Sequence, residues 1–555
     1  MTTSCDVIVV GGGPGGASCA AALARAGNHV TLLDKASFPR DHVGESLSPS
    51  VLEAVRHLGA EQELRAAGFA PKAGATFAWG DDQRPWTVGY PAVNGPSAYQ
   101  VRRAEFDMIL LRAAGAAGAD VRLGWRADDV EFSSGRSAGV LATTPEGSQV
   151  RLTAPWVVDA SGADGLMNRR LGRTAGPPEL DRVAVWGYWR LNGQASETTS
   201  GTSLLVGRQD ACLWYYPLDD RFSMASVGVL ISGRDAGRLL GDPPTEFYRS
   251  AVGSCPELAS LMTGAVQEGG VHVTSASASA SPRMAGNGWL LVGDAAFFVD
   301  ALLTPGIQLA IQSGLLAAQC LRTIIGRPEA ATAALDLYDL VLRREYETFT
   351  WLCRNLYGAA DAGREAPAAA RPQVPETNAQ FAFFSLIAGL PKTELAGRFG
   401  AYMGMRGKAA ARSGQHVIPG EKEGFAFLAW LRHQDDLARA RADRITAELD
   451  ESCVLAPAPG AAIGEELFVP SDGAQVLTSR MAVRNRLGDR FEATQELLAL
   501  FETLGNECPY EKALWRFCPA TDRHNAECRS KFTNWIKLLA DYALVEWKPV
   551  HQGVT

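Results

Sequence analysis

Residues 5 to 35, CDVIVVGGGPGGASCAAALARAGNHVTLLDK, decide the fold. Val7 to Val10 form an apolar, β-branched run of the kind that makes a buried strand. Gly11-x-Gly13-x-x-Gly16 follows, a turn whose missing side chains let backbone N–H groups approach a pyrophosphate, with the positive end of the next helix behind them. A second apolar run then ends in Asp34, 23 positions after Gly11, about the spacing at which a carboxylate reaches a ribose hydroxyl. Strand, glycine turn, helix and acidic terminus together predict a dinucleotide-binding βαβ unit.

Further strand-to-turn signals lie far from this unit. Trp156 to Gly162 read as a buried strand ending in a tight turn, and Gly288 to Ala296 as another, ending in Gly293-Asp294. Val101 to Asp107 lead into an alanine- and leucine-rich helix and the strand Ala119 to Leu123. The chain is therefore expected to be α/β, with a Rossmann-like domain assembled from separated segments. Ala73 to Gly89, Ala184 to Leu191, Cys212 to Pro217 and Met224 to Ile231 alternate like antiparallel strands. They predict a substrate-side sheet within about residues 65–100 and 170–285. A helix from about Thr304 to Ile325 completes a core of residues 1–345.

Beyond that core the character turns helical. Residues 346–450 read as a helical extension, in which Glu345 to Leu356 and Phe425 to Leu449 are the clearest helices and Ala359 to Pro375 a loop or flexible link. Residues 451–555 read as a mainly helical module. Glu492 to Leu504 and Asn525 to Leu544, followed by a short hairpin ending near Lys548, resemble a winged helix.

Composition narrows the possible partners. A chain of 555 residues, 46% hydrophobic and 21% charged, is an ordinary globular protein of several domains. Its net charge of −8 argues against nucleic acid and against anionic membranes, both of which need a basic surface. The first apolar run is already the nucleotide-binding strand, so the expectation is a cytoplasmic protein without a signal peptide. Ten cysteines without a C-x-x-C indicate neither a disulfide framework nor a standard zinc site. Cys508, Cys518, His524 and Cys528 cluster, but at spacings unlike the common ligand patterns, so no metal is expected. Val299 to Leu321 is interrupted by Pro305, Gly306, Gln308, Gln312 and Ser313, which argues against a membrane span.

The N-terminal fingerprint, Arg103 with Asp107, and Gly293-Asp294 resemble the FAD-dependent monooxygenases of the p-hydroxybenzoate hydroxylase type, over residues 1 to about 345. That resemblance implies FAD, with Asp294 on its ribityl chain and pyrophosphate and Arg103 in contact with it. Independently of family, an aspartate at the C-terminal end of a buried strand lies where open α/β sheets bind ligands. Phe38-Pro-Arg-Asp-His-Val-Gly-Glu-Ser46 and Gly68-Phe-Ala-Pro-Lys-Ala-Gly-Ala-Thr-Phe-Ala-Trp-Gly80 narrow the resemblance to flavin-dependent halogenases. The match is best to those acting on phenols and on carrier-protein-tethered substrates, some of which share an extended C-terminal region. Such enzymes use reduced FAD, oxygen and chloride or bromide to form hypohalous acid. Lys72 matches the buried lysine that delivers it to an electron-rich aromatic or activated acyl substrate in natural-product biosynthesis. The residue type suits the task, because desolvation lowers a lysine's pKa and makes a nucleophilic amine available.

The resemblance implies cofactor contacts at Gly11, Gly13, Gly16, Asp34, Lys35, Arg40, Ser46, Arg103, Ala127, Asp294, Asp300, Pro305 and Ile307. Asp300 matches a position linked covalently to the flavin methyl group in some relatives. Thr304 and Gly306 are the halide candidates, since a loop entering a helix offers free N–H groups to an anion. Pro305 has no N–H to offer and shapes that loop. Trp79, Trp214, Tyr216 and Pro217 are expected on the substrate side.

Relatives place a Trp-x-Trp-x-Ile-Pro segment between flavin and substrate, where this chain has Cys212-Leu213-Trp214-Tyr215-Tyr216-Pro217. The partial match leaves open a flavin hydroxylase that uses no halide. A non-catalytic flavoprotein that docks a partner is a further alternative. No second GxGxxG follows Gly16, which fits a two-component enzyme fed with reduced FAD by a separate flavin reductase, although some single-component hydroxylases also lack such a domain.

Overall fold

The computed structural model describes residues 3–40, 42–78, 85–89, 96, 98–163, 165–192, 201–208, 211–239, 244–301 and 305–361, and beyond them 453–457, 462–468, 478–484, 490–492, 495–505, 508–509, 512–514, 532–533, 536 and 545–549. The chain divides into two compact units, Met1–Leu390 and Pro391–Thr555.

The nucleotide-binding sheet of the first unit has six strands, ordered Ala285–Gly286, Trp289–Leu291, Trp156–Asp159, Val7–Val10, Val30–Asp34 and Asp120–Leu123. All neighbours are parallel except the short edge strand Ala285–Gly286. The separated apolar segments thus lie side by side, as their patterns predict, and both faces are covered: Val7, Ile8, Val9, Val157, Val158, Leu290 and Leu291 are fully buried. Register places Val10 opposite Asp159 and Asp159 opposite Leu291, so the turns after all three strands open along one edge.

Two helices lock that edge. Pro14–Arg25 is built mainly of glycine, alanine and serine, and it crosses Gly306–Gly326 at two glycines. A Cβ on Gly314 would collide with the carbonyl oxygen of Gly15, and one on Gly15 would lie 2.6 Å from Val292 Cγ1 and 2.8 Å from the Ala310 carbonyl oxygen. Backbone meets backbone here, with no room for a methyl group. Among the described residues, Gly306–Gly326 is also the one helix long and apolar enough to cross a membrane, yet most of it is buried inside the protein.

The second sheet has seven strands, ordered Val266–Ser275, Arg182–Arg190, Met224–Ser232, Ala211–Pro217, Thr202–Gly207, Gly74–Ala78 and Trp86–Gly89. It is antiparallel apart from Gly74–Ala78 against Thr202–Gly207, which run parallel. This departs from the expected all-antiparallel sheet. These two strands are separated by the nucleotide-binding segments, so no hairpin dictates their relative direction. One face packs Leu204, Val206, Leu213, Tyr215, Val227 and Val229 against Tyr248 and Leu258 of the helices Pro244–Gly253 and Pro256–Leu261. Strand alternation turns Ser203, Leu205, Trp214, Tyr216, Trp186 and Tyr188 to the other face. A third sheet, Thr3–Ser4, Gln149–Thr153, Arg136–Thr143 and Arg126–Ser133, was not expected from the pattern.

The C-terminal reading needs correction. Ala331–Asp361 is one helix running through residue 345. In Pro391–Thr555 the described residues form two three-stranded sheets, the helix Gln495–Leu504 and short helical stretches at 512–514 and 532–533, and most of the residues on which the winged-helix expectation falls lie outside the described ones. Val545–Pro549 pairs with Cys453–Pro457, a strand far upstream, where a hairpin was expected. Contacts between segments so far apart in sequence leave no local signature in either. Phe425 to Leu449, most of Asn525 to Leu544, and Cys518, His524 and Cys528 lie outside the described residues.

Because the helix crossing has no spare volume, Gly314→Ala is expected to cost about 1–3 kcal/mol through overpacking. The denaturant midpoint of the full chain checks this, and an unchanged midpoint would show that the helices part without penalty.

Candidate active site

The glycine turn is built by exclusion. Gly11 has φ +107°, and a Cβ on it would strike the Ala160 carbonyl; a Cβ on Gly16 would strike the carbonyl of Gly11. The turn therefore stays flush against the sheet edge, and Gly13 leads into the helix with Pro14 at its first position, where no N–H is wasted. No acidic side chain occupies that first turn. Asp34 is buried and already partly engaged, its Oδ2 accepting from Gly12 N at 2.6 Å and its Oδ1 from Ala36 N at 2.7 Å. A carboxylate has lone pairs left beyond these two bonds. Arg40 Nη2 stands 4.0 Å from Asp34, beside Gly13, and Arg40 Nε is buried without a hydrogen-bond partner. Open N–H groups, a helix N-terminus, a guanidinium and a carboxylate are the donor and acceptor set that a dinucleotide's pyrophosphate and ribose require, so the residues fit FAD. Lys35 is exposed, and Ala127 is half-buried on the third sheet opposite Ala142.

Arg103 and Asp294 anchor the other end. The Arg103 guanidinium grips Asp107 bidentately at 2.8 and 3.0 Å, while its Nη1 donates to the Val43 carbonyl at 2.8 Å and meets His42 Nδ1 at 3.2 Å. That leaves one of its five N–H bonds uncommitted, on Nη2. The guanidinium beside it holds His42 down to about 4. Asp294 follows Gly293, which takes φ +61° and donates its N–H to Ser313 Oγ. Burial raises the Asp294 carboxyl to about 6 against the pull of Arg103 and Arg173. Glu45 is fully buried and raised to about 7 by the same cause, again with Arg103 acting against it. Arg103 is therefore the shared countercharge of three carboxyl groups.

Lys72 is 3% exposed. Its Nζ donates to Ser46 Oγ at 2.7 Å and to the Leu47 carbonyl at 3.1 Å. Burial lowers its pKa to about 7. Three backbone pairings bring it there: Lys72 N to Ala98 O at 2.8 Å, Ala70 opposite Gln100, and a bridge from Ser46 to Gln100. Ser46, expected at the cofactor, is placed by this geometry beside the lysine, its hydroxyl accepting from the Lys72 amine.

On the seven-stranded sheet, the Trp214 ring lies over Gly228, whose missing side chain makes the space, and its Nε1 donates to Ser226 Oγ at 3.3 Å. Tyr216 stacks on it at 6.2 Å between centroids. Pro217 is buried at the strand end. Pro305 forms the N-cap of the helix Gly306–Gly326, where a Cβ on Gly306 would meet nothing within 4 Å and Ile307 is buried. Among the described residues, Leu309 N is the first N–H of this helix to find a helical carbonyl, Pro305 O at 2.8 Å, as expected where the first-turn N–H groups lack an intrahelical partner. Asp300 is buried; burial, with the Asp300 charge added to it, pushes up the thiols of Cys212 and Cys353. Thr304 and Trp79 lie outside the described residues.

Sequence reasoning missed Gln100, Ser203 and Tyr188, which complete the surroundings of Lys72 and Glu45. Only Glu45 carried a signal, its place in Gly44-Glu45-Ser46.

Known proteins resemble this chain in sequence and fold. The FAD binding domain family matches residues 4–344. A flavin-dependent halogenase of Armillaria mellea is 30% identical over 377 residues, 64% of this chain and 74% of its own length. A tryptophan 2-halogenase of Chondromyces crocatus is 31% identical over 361 residues, 64% of this chain and 68% of its own. Among solved structures, the myxobacterial chondrochloren halogenase CndH matches with a TM-score of 0.62 and 33% identity, covering 70% of this chain and 90% of its own. CmlS, a flavin-dependent halogenase, matches with a TM-score of 0.70 and 25% identity, covering 100% of this chain and 98% of its own.

Removing Asp107 strands a buried guanidinium. Asp107→Ala is expected to cost about 3–5 kcal/mol of stability and to weaken FAD retention, measured by chemical denaturation and by flavin absorbance after gel filtration. A loss below about 1 kcal/mol, the range of a surface pair, would contradict the buried pairing.

Proposed function

The chain belongs to the FAD binding domain family and, within it, to the flavin-dependent halogenases, and from that premise we propose that Lys72 carries the halogen to an electron-rich aromatic substrate. Flavin-dependent halogenases draw reduced FAD from a flavin reductase and act on small aromatic molecules. Bound FAD supplies the oxidation of halide by oxygen to hypohalous acid. The chain's own residues do the rest.

The glycine turn, Asp34, Arg40, Arg103 and Asp294 hold the cofactor. The N–H groups of Gly306 and Ile307, with Thr304, hold chloride or bromide at the helix N-terminus, where the dipole favours an anion. Lys72 then takes the halogen. As a neutral amine it attacks the chlorine of hypochlorous acid: an N–Cl bond forms, the O–Cl bond breaks, and the departing hydroxide takes the amine proton as water. The aromatic carbon next takes chlorine from nitrogen, and the ring proton returns to the amine. Burial supports this assignment, since a lysine with a pKa of about 7 supplies neutral amine at physiological pH where an exposed one does not. Trp214 and Tyr216 wall the substrate on the sheet face that also carries Ser203, and Pro217 ends their strand. Presentation of the substrate on a carrier protein belongs to the same proposal.

The single observation that carries the reading is the Lys72 amine, buried and held by Ser46 and Leu47 with a pKa of about 7. Lys72→Ala is expected to lower halogenation by about 100-fold or more while leaving FAD binding intact. The assay is FAD, a flavin reductase, NADH and a panel of phenols, free and carrier-bound, with and without chloride or bromide. Gain of one oxygen without halide would instead identify a hydroxylase. In the wild type, kcat/KM for halogenation is expected to rise with pH through about 7, as Lys72 loses its proton; a rate that falls through the same range would exclude the amine as the acting form.

A further inference from the structure

We propose that Gln100 and Ser203 are positioning residues that let Lys72 gain and lose its proton inside the protein, through a hydrogen-bond chain that runs equally well in either direction. This rests on the reading of Lys72 as the halogen-carrying amine. Lys72 Nζ lies 2.7 Å from Ser46 Oγ, Ser46 Oγ lies 3.4 Å from Ser203 Oγ, and Ser203 Oγ lies 2.6 Å from Gln100 Nε2. All four residues are nearly or wholly buried, and Gln100 Oε1 has no hydrogen-bond partner. The backbone sets the spacing on one side, since Gln100 bridges Ser46 and pairs with Ala70, two residues before Lys72. Ser203 enters from the seven-stranded sheet.

A hydroxyl both donates and accepts, and a carboxamide ends a chain as donor or as acceptor after a half-turn about its last bond. With Lys72 an ammonium, Nζ donates to Ser46, Ser46 to Ser203, and Ser203 to Gln100 Oε1. With Lys72 an amine, each bond reverses: Gln100 Nε2 donates to Ser203, Ser203 to Ser46, and Ser46 to the Nζ lone pair. The bond from Nζ to the Leu47 carbonyl persists in both states. No serine proton is stranded in either, which matters because an unsatisfied buried donor is costly.

The charged and titratable groups on the packed elements are directed elsewhere. Glu45 accepts from Tyr188 Oη at 3.2 Å and from Gly44 N, Arg102 pairs with Glu105, and Arg103 with Asp107. Asp219, bridged to Phe69, accepts from Arg221 N and Ser223 N. Among the described residues, neutral, reversible groups therefore lie next to the amine.

Cutting the chain affects the two states unequally. Without Ser203 or Gln100 the ammonium state strands a serine proton, whereas the amine state loses only a donor to an acceptor oxygen. Ser203→Ala and Gln100→Leu are each expected to lower the Lys72 pKa by about one pH unit. The double variant should shift it no further than either single change, because both interrupt the same chain. Ser203→Thr, which keeps the hydroxyl, should return the wild-type value. The measurement is an NMR titration of the FAD-loaded, full-length protein carrying lysine labelled with carbon-13 at Cε. The chain has nine lysines, and Lys72→Ala identifies the signal. The rising limb of the halogenation pH profile should move with the titration. A Lys72 pKa unmoved in both single variants, or additive shifts in the double, overturns the proposal. Continued halogenation by Lys72→Ala would instead overturn the assignment of Lys72, and the titration separates the two failures.

Discussion

The contact of bare backbone with bare backbone at the glycines of the sheet edge is the constraint on which the first unit depends. Gly16 sits against the carbonyl of Gly11, Gly11 against that of Ala160, and Gly314 against that of Gly15. Each position excludes even a methyl group. Together they press the first helix onto the sheet and lay the helix Gly306–Gly326 across it, over Val292 and close to Gly293. The cofactor-binding turn, the Gly293-Asp294 turn and the candidate halide loop are thereby assembled from segments nearly three hundred residues apart.

Burial then tunes the groups that this packing encloses. Lys72 falls to about 7, Glu45 rises to about 7 and Asp294 to about 6, all chiefly by desolvation. Arg103 tempers the two carboxyl groups, and its own charge is balanced by Asp107. Proton exchange near neutral pH is therefore inexpensive at several points of one site, which suits chemistry that moves protons between amine, water and an aromatic ring.

Legibility in the sequence followed the range of the interaction. The βαβ unit was readable because its strand, turn, helix and acidic end are contiguous, and Trp156–Asp159 and Trp289–Leu291 because strands buried on both faces are apolar throughout. Lys72 was readable through its surrounding motif. Thr202–Gly207 and Val266–Ser275 escaped notice, the first for lack of alternation and the second because its exposed edge carries Gly269 and Gly270. The C-terminal unit misled for a different reason: its sheet joins Cys453–Pro457 to Val545–Pro549, and helical periodicity in between says nothing about how the two strands pair.

The sequence by itself determined the cofactor class and the family and singled out Lys72, since each is written in a short run of residues whose chemistry depends on their spacing along the chain. Tertiary structure alone decided what surrounds that lysine. Ser203 lies 103 positions from Gln100 and 157 from Ser46, yet their side chains meet. Such contacts are set by how two sheets pack, and no local pattern of residues encodes that distance.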